Sequence, residues 1–213
     1  MRICSIISAW EYCAARAELK LADPEAYKAF LLGLSAGMRK AEIDLCEWRM
    51  VDAAAGVIRL EQTEWLHLKT EDSADEIAVD AEVITELRDL MPAPTDQPAP
   101  WSQFILCSPR PPHPDSGRPY YRCADTFKRL NAWLRSKGVT ANKPLHELRK
   151  ELGALIATQH GIYAASRFLR HGDITTTARH YADQKTRISV GLGKFLDSAP
   201  KALAEAPVAA TIG

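Results

Sequence analysis

Four side chains between Pro144 and Tyr181 are the chain's best candidates for chemistry: His146, Arg149, His171 and Tyr181. His146 and Arg149 stand three apart in PLHELRK, a spacing that puts both on one face of a helix. His171 and Tyr181 are ten apart in HGDITTTARHY, across Gly172-Asp173 and a threonine-rich segment. Two imidazoles, a guanidinium and a phenol suit a site that binds an anion, moves a proton and supplies an oxygen nucleophile. Two cations further back join them. Arg39 follows Gly37-Met38 at a helix start, and Lys69 stands beside the polar run TEDSADE. No Walker loop, CxxC pair or HExxH motif competes, and His67, His146, His171 and His180 form no carboxylate–histidine cluster. No metal site is expected from these residues.

These side chains need a scaffold. A chain of 213 residues can bury a sizeable core. The spacing predicts helices over 3–19, from Asp23-Pro24 to about Ser35, from Arg39, over 81–91, Cys123–Lys137, Leu145–Gln159, Tyr163–Leu169 and Asp173–Tyr181, and an amphipathic one over 184–198. Asp23 should cap the second and Pro24 open it, and Gly37 should end it. Val57–Leu60, Trp65–Leu68 and Glu76–Val79 read as three strands of a small antiparallel sheet, with Ala53–Gly56 a turn and Lys69 at a strand end. Phe104–Cys107 reads as a short buried strand. The proline-rich stretch 91–101 and residues 108–119 read as loops, and 201–213 as a disordered tail. The fold class is therefore mainly α with a small three-stranded antiparallel sheet (α+β), in one domain over 1–200.

Composition narrows the partners. No apolar run approaches the length of a membrane span. Five scattered cysteines point to reduced thiols and a cytoplasmic protein. The net charge of zero divides unevenly: residues 1–100 hold 10 Lys/Arg against 19 Asp/Glu, a net of −9, and residues 101–190 hold 15 against 6, a net of +9. The basic half carries the His/Arg/Tyr constellation, so a phosphate-rich partner would be drawn there. Each residue also has a plain structural reading. Arg39 can pair with Glu42, Arg149 can be packed or solvated, and Tyr181 can bury its ring with a wet hydroxyl.

Taken in order, GMRKAEI, LKT, HELRK and LRHGDITTTARHY resemble the catalytic domain of the tyrosine recombinase (phage integrase) family, over about residues 20–185. The resemblance implies DNA strand cutting and rejoining without metal or cofactor. The Tyr181 hydroxyl would attack a phosphate of double-stranded DNA, giving a 3′-phosphotyrosyl bond and a free 5′-hydroxyl. Arg39 and Arg149 would clamp the phosphate, a task that suits bidentate guanidiniums. Lys69 would protonate the leaving oxygen. His146 would take the Tyr proton or order the phosphate, and His171 would donate a hydrogen bond to it. Tyr163 precedes His171 and His180 matches no family role, so neither is assigned one. The resemblance also implies a tetramer on DNA, with the segment after Tyr181 packing on a neighbour.

Three departures accompany the resemblance. The family's usual glycine before the second histidine is Arg170, the turn after Lys69 is acidic rather than basic, and no separate N-terminal DNA-clamping domain is seen in the sequence. Two other readings share these residues: a DNA-binding or regulatory protein that keeps the fold without the activity, and a type IB topoisomerase-like enzyme.

Overall fold

The computed structural model describes residues 9–68, 75–93, 95–113, 120–171 and 175. The elements run α1 (Ala9–Ala22), α2 (Pro24–Ser35), α3 (Lys40–Leu45), a single 3-10 turn at Trp48–Met50, β1 (Val51–Asp52), β2 (Val57–Leu60), β3 (Asp75–Ala78), α4 (Ala81–Asp89), α5 (Ala124–Ser136), α6 (Pro144–His160) and α7 (Ile162–Phe168). The mainly helical class with one small antiparallel sheet is what the sequence pattern predicts.

α2 sits at the centre. Asp23 accepts the Ala26 N–H at 3.2 Å and Pro24 opens the helix, so its start is both capped and pre-set in φ. Tyr27, Phe30, Leu31 and Leu32 are buried, and the helix packs against α1, α5 and α6. A helix enclosed on most sides must bury some polar positions too. Lys28 is one. Its ammonium donates to the Ile105 carbonyl at 2.7 Å and pairs with Glu25 at 2.8 Å.

The sheet has order β1-β2-β3, with Val51 opposite Ile58 and Ile58 opposite Ile77. Asp52 accepts the Ala54 and Ala55 N–H groups and Gly56 takes φ 67°, which makes the predicted turn. The strand expected at Trp65–Leu68 does not form, and β1 is the third strand instead. The Thr63 hydroxyl accepts the Trp65 and Leu66 N–H groups, and the Thr63 N–H donates to the Leu66 carbonyl. This local turn competes with strand pairing for the same backbone groups. Trp65 then meets Trp101 edge-to-face while Leu66 is buried.

Phe104–Cys107 is buried as far as Leu106 but, among the described residues, forms no strand and pairs through a bridge between Glu47 and Phe104. Cys13, Cys46, Cys107 and Cys123 are free thiols. No described helix is long and apolar enough to cross a membrane. The helices expected over 173–181 and 184–198 and the tail from 201 lie largely or wholly outside the described residues.

Candidate active site

The site begins where α2 stops. Ala36 caps the helix and Gly37 turns the chain at φ 57°. A side chain at Gly37 would be strained by that φ and would meet Leu152 and Leu169 carbons at 3.2 Å. The turn delivers Arg39 in extended conformation to the N-cap of α3. Its main-chain N–H donates to Glu42 Oε2 and its Nη1 to Glu42 Oε1, both at 2.7 Å. Its Nη2 donates to the Arg170 carbonyl at 2.9 Å. The Arg39 side chain keeps 32% of its surface in solvent.

Arg149 reaches the same turn from α6. It is 2% exposed. Its Nη1 donates to the Gly37 carbonyl and its Nη2 to the Leu169 carbonyl. The two guanidiniums thus grip consecutive carbonyls, Leu169 and Arg170, immediately before His171. The Arg149 fork ties together carbonyls at the ends of α2 and α7, and Arg39 holds a further carbonyl at the end of α7.

The end of α7 fixes the backbone at His171. The His171 N–H donates to the Ser166 carbonyl at 3.1 Å and the Arg170 N–H to the Arg167 carbonyl at 2.8 Å. With Leu169 as C-cap, these are the two bonds of a Schellman motif. Its left-handed position is Arg170, at φ 51°, where glycine is the usual occupant. A side chain there costs about 1–2 kcal/mol. The Arg170 guanidinium is buried and donates to Glu42 Oε2 at 2.7 Å. Burial would raise the Glu42 carboxyl, but the charge of Arg170, with Arg39's bonds and charge, holds it below its ordinary value.

Of the six residues singled out in the sequence, Arg39, Arg149 and His171 meet at this turn. His171 is half-buried. His146 is exposed on the first turn of α6, one turn before the buried Arg149, so helical spacing gave them neighbouring positions and different environments. Lys69 and Tyr181 lie outside the described residues. Glu42 entered the sequence reading only as a plain partner for Arg39. The structure makes it the carboxylate on which both Arg39 and Arg170 rest. The arginine in glycine's usual place was the one signal for that.

No family model matches the chain, and no curated protein matches it by sequence. Solved structures do match. A XerA recombinase is 14% identical with TM-score 0.57, over 92% of this chain and 63% of that one. The Tn1549 transposon integrase (residues 82–397), in complex with circular intermediate DNA, is 15% identical with TM-score 0.57, over 92% and 67%. A lambda integrase (75–356) dimer bound to a COC′ core site is 15% identical with TM-score 0.55, over 89% and 65%. The chain spans about two thirds of the length of each of these proteins. At this identity the likeness concerns architecture: the fold is that of a tyrosine recombinase catalytic domain.

Proposed function

We propose that this chain is the catalytic part of a site-specific DNA recombinase or integrase, which cuts and rejoins strands through a 3′-phosphotyrosyl intermediate on Tyr181. One observation carries the reading. Arg39 and Arg149, from two different helical blocks, are anchored on adjacent carbonyls directly before His171. A phosphodiester under attack gains charge on its non-bridging oxygens, and preorganised guanidiniums stabilise that charge without reorganising. In this reading Arg39 and Arg149 hold the phosphate and His171 adds a hydrogen bond. His146, on the exposed start of α6, takes the Tyr181 proton or orders the phosphate, and Lys69 protonates the leaving 5′-oxygen. Residues 1–200 act as the one catalytic domain, double-stranded DNA is the substrate, and the active form is a tetramer on DNA. Two of the fold's neighbours, the Tn1549 and lambda integrases, were solved with DNA.

The test is covalent trapping. The protein is incubated with nicked suicide duplexes, including sites flanking its source gene, then denatured and examined for a protein–DNA adduct. An adduct that Tyr181→Phe abolishes supports the reading. A second reading, a DNA-binding module without cleavage, draws on Arg149, whose two Nη groups already hold in-chain carbonyls. Measurable duplex binding with no adduct from any site would favour it.

A further inference from the structure

We propose that Arg170 is a positioning residue for Arg39: its guanidinium pins Glu42 and its carbonyl receives Arg39, so that one residue orients the exposed arginine and keeps its charge available to a phosphate. The functional consequence rests on the reading above, whereas the positioning itself rests on geometry alone.

Arg170 stands where the backbone favours glycine, at φ 51° in the Schellman turn, so local structure does not account for an arginine there. Both ends of the residue instead address Arg39. The Arg170 carbonyl accepts Arg39 Nη2 at 2.9 Å, and Arg170 Nη2 donates to Glu42 Oε2 at 2.7 Å. The same Oε2 accepts the Arg39 main-chain N–H, which leaves Oε1 for Arg39 Nη1. A glutamate's terminal torsion is broad when nothing holds it. With Oε2 fixed from two sides, Oε1 has one direction, and the Arg39 fork is held between Oε1 and the Arg170 carbonyl.

Charge gives the second half of the argument. Arg39 and Glu42 alone would cancel, and a cancelled guanidinium attracts a phosphate weakly. Arg170 is fully buried and restores one net positive charge to the trio. Because only Arg39 of the two arginines is substantially exposed, that charge is expressed at its guanidinium. Arg170 therefore does not touch substrate; it acts through Glu42 and through its own carbonyl.

The test compares wild type with Arg170→Gly and Arg170→Lys. Glycine relieves the left-handed backbone and removes the guanidinium, whereas lysine keeps the charge without the fork. The first readout is the side-chain Nε–Hε resonance of Arg39, assigned with Arg39→Lys and titrated with inorganic phosphate. The expected result is that Arg170→Gly moves and narrows this resonance and weakens its response to phosphate, while Arg170→Lys recovers the response in part and thermal stability changes little. The second readout is the single-turnover rate of adduct formation on a suicide duplex, expected to fall about 10- to 100-fold in Arg170→Gly. An unchanged Arg39 resonance and phosphate response in Arg170→Gly would overturn the proposal and leave Arg170 a helix cap. If wild type itself forms no adduct, the recombinase reading fails, and the Arg39 resonance still decides the role of Arg170.

Discussion

α3 is six residues long and carries two buried carboxylates that behave in opposite ways. Glu42 is 3% exposed and Asp44 is 2% exposed. Glu42 faces the site and rests against Arg39 and Arg170. Asp44 faces the start of α5 and accepts the Arg122 and Cys123 main-chain N–H groups at 2.8 Å each. Arg122 is near, but its guanidinium donates to the Asp44 carbonyl and lies over the Phe104 ring at 4.1 Å. Burial raises the Asp44 carboxyl and its bonds from the Cys123 and Arg122 amides do not fully offset it. In Glu42 the direct guanidinium contacts do. Equal burial therefore leaves the titration to the neighbours. The site side of α3 concentrates cations around a carboxylate, and the core side uses a carboxylate as a cap.

The largest expected contrast between the two sides is in chemistry. On the proposed reading, Arg149→Ala removes one of the two guanidiniums that hold the phosphate, and it frees the Gly37 and Leu169 carbonyls. Adduct formation on a suicide duplex should fall about 10²- to 10³-fold, the usual loss for one oxyanion donor. Asp44→Ala should leave the rate per folded molecule unchanged. Equal losses in both variants, measured at matched folded fraction by circular dichroism, would erase the distinction between the sides.

Stability should show the reverse. Asp44→Ala strands two buried N–H groups at the entry to α5, at about 2–3 kcal/mol. That lowers Tm by roughly 5–10 °C for a domain of this size, read by differential scanning calorimetry. Gly37→Ala should come next. The left-handed φ and the 3.2 Å approaches to Leu152 and Leu169 together cost about 1–2 kcal/mol, and the shift should also loosen the carbonyl that Arg149 grips.

How much of this was legible follows from the range of each interaction. The Asp23-Pro24 start, the Gly37 stop and the helix over Cys123–Lys137 are written in neighbouring residues, and they appear as read, α5 spanning Ala124–Ser136. Trp65–Leu68 misled because its alternation fits a strand, while the competing signal was a single threonine hydroxyl at Thr63. β1 was missed because two residues carry no period. In the site, Arg39 and Arg149 were legible by type and motif. The carbonyls they hold were not, since no sequence pattern marks an orphan carbonyl that lies 20 to 131 residues away. Asp44 and Arg122 gave no signal at all: both are charged residues buried against spacing that reads as surface.

The smallest effect is also the sharpest on sign. Glu42 titrates below its ordinary 4.5 when folded, so its contribution to stability is full above that pH and is lost as pH falls through the folded value. Asp44 titrates above its ordinary 3.8, so its contribution is full below that pH and is lost as pH rises through its folded value. Each direction is a balance of burial against neighbouring bonds and charges. Urea unfolding from about pH 3 to about pH 7 separates them in single variants. Against wild type, Glu42→Gln should be penalised most at neutral pH and least in acid, because the native carboxylate it replaces is stabilising only when ionised. Asp44→Asn should show the opposite trend, approaching or passing wild type as pH rises. Two variants with parallel pH profiles would mean that the guanidiniums of Arg39 and Arg170 do not set the charge state of Glu42, and the contrast between the two sides of α3 would reduce to geometry.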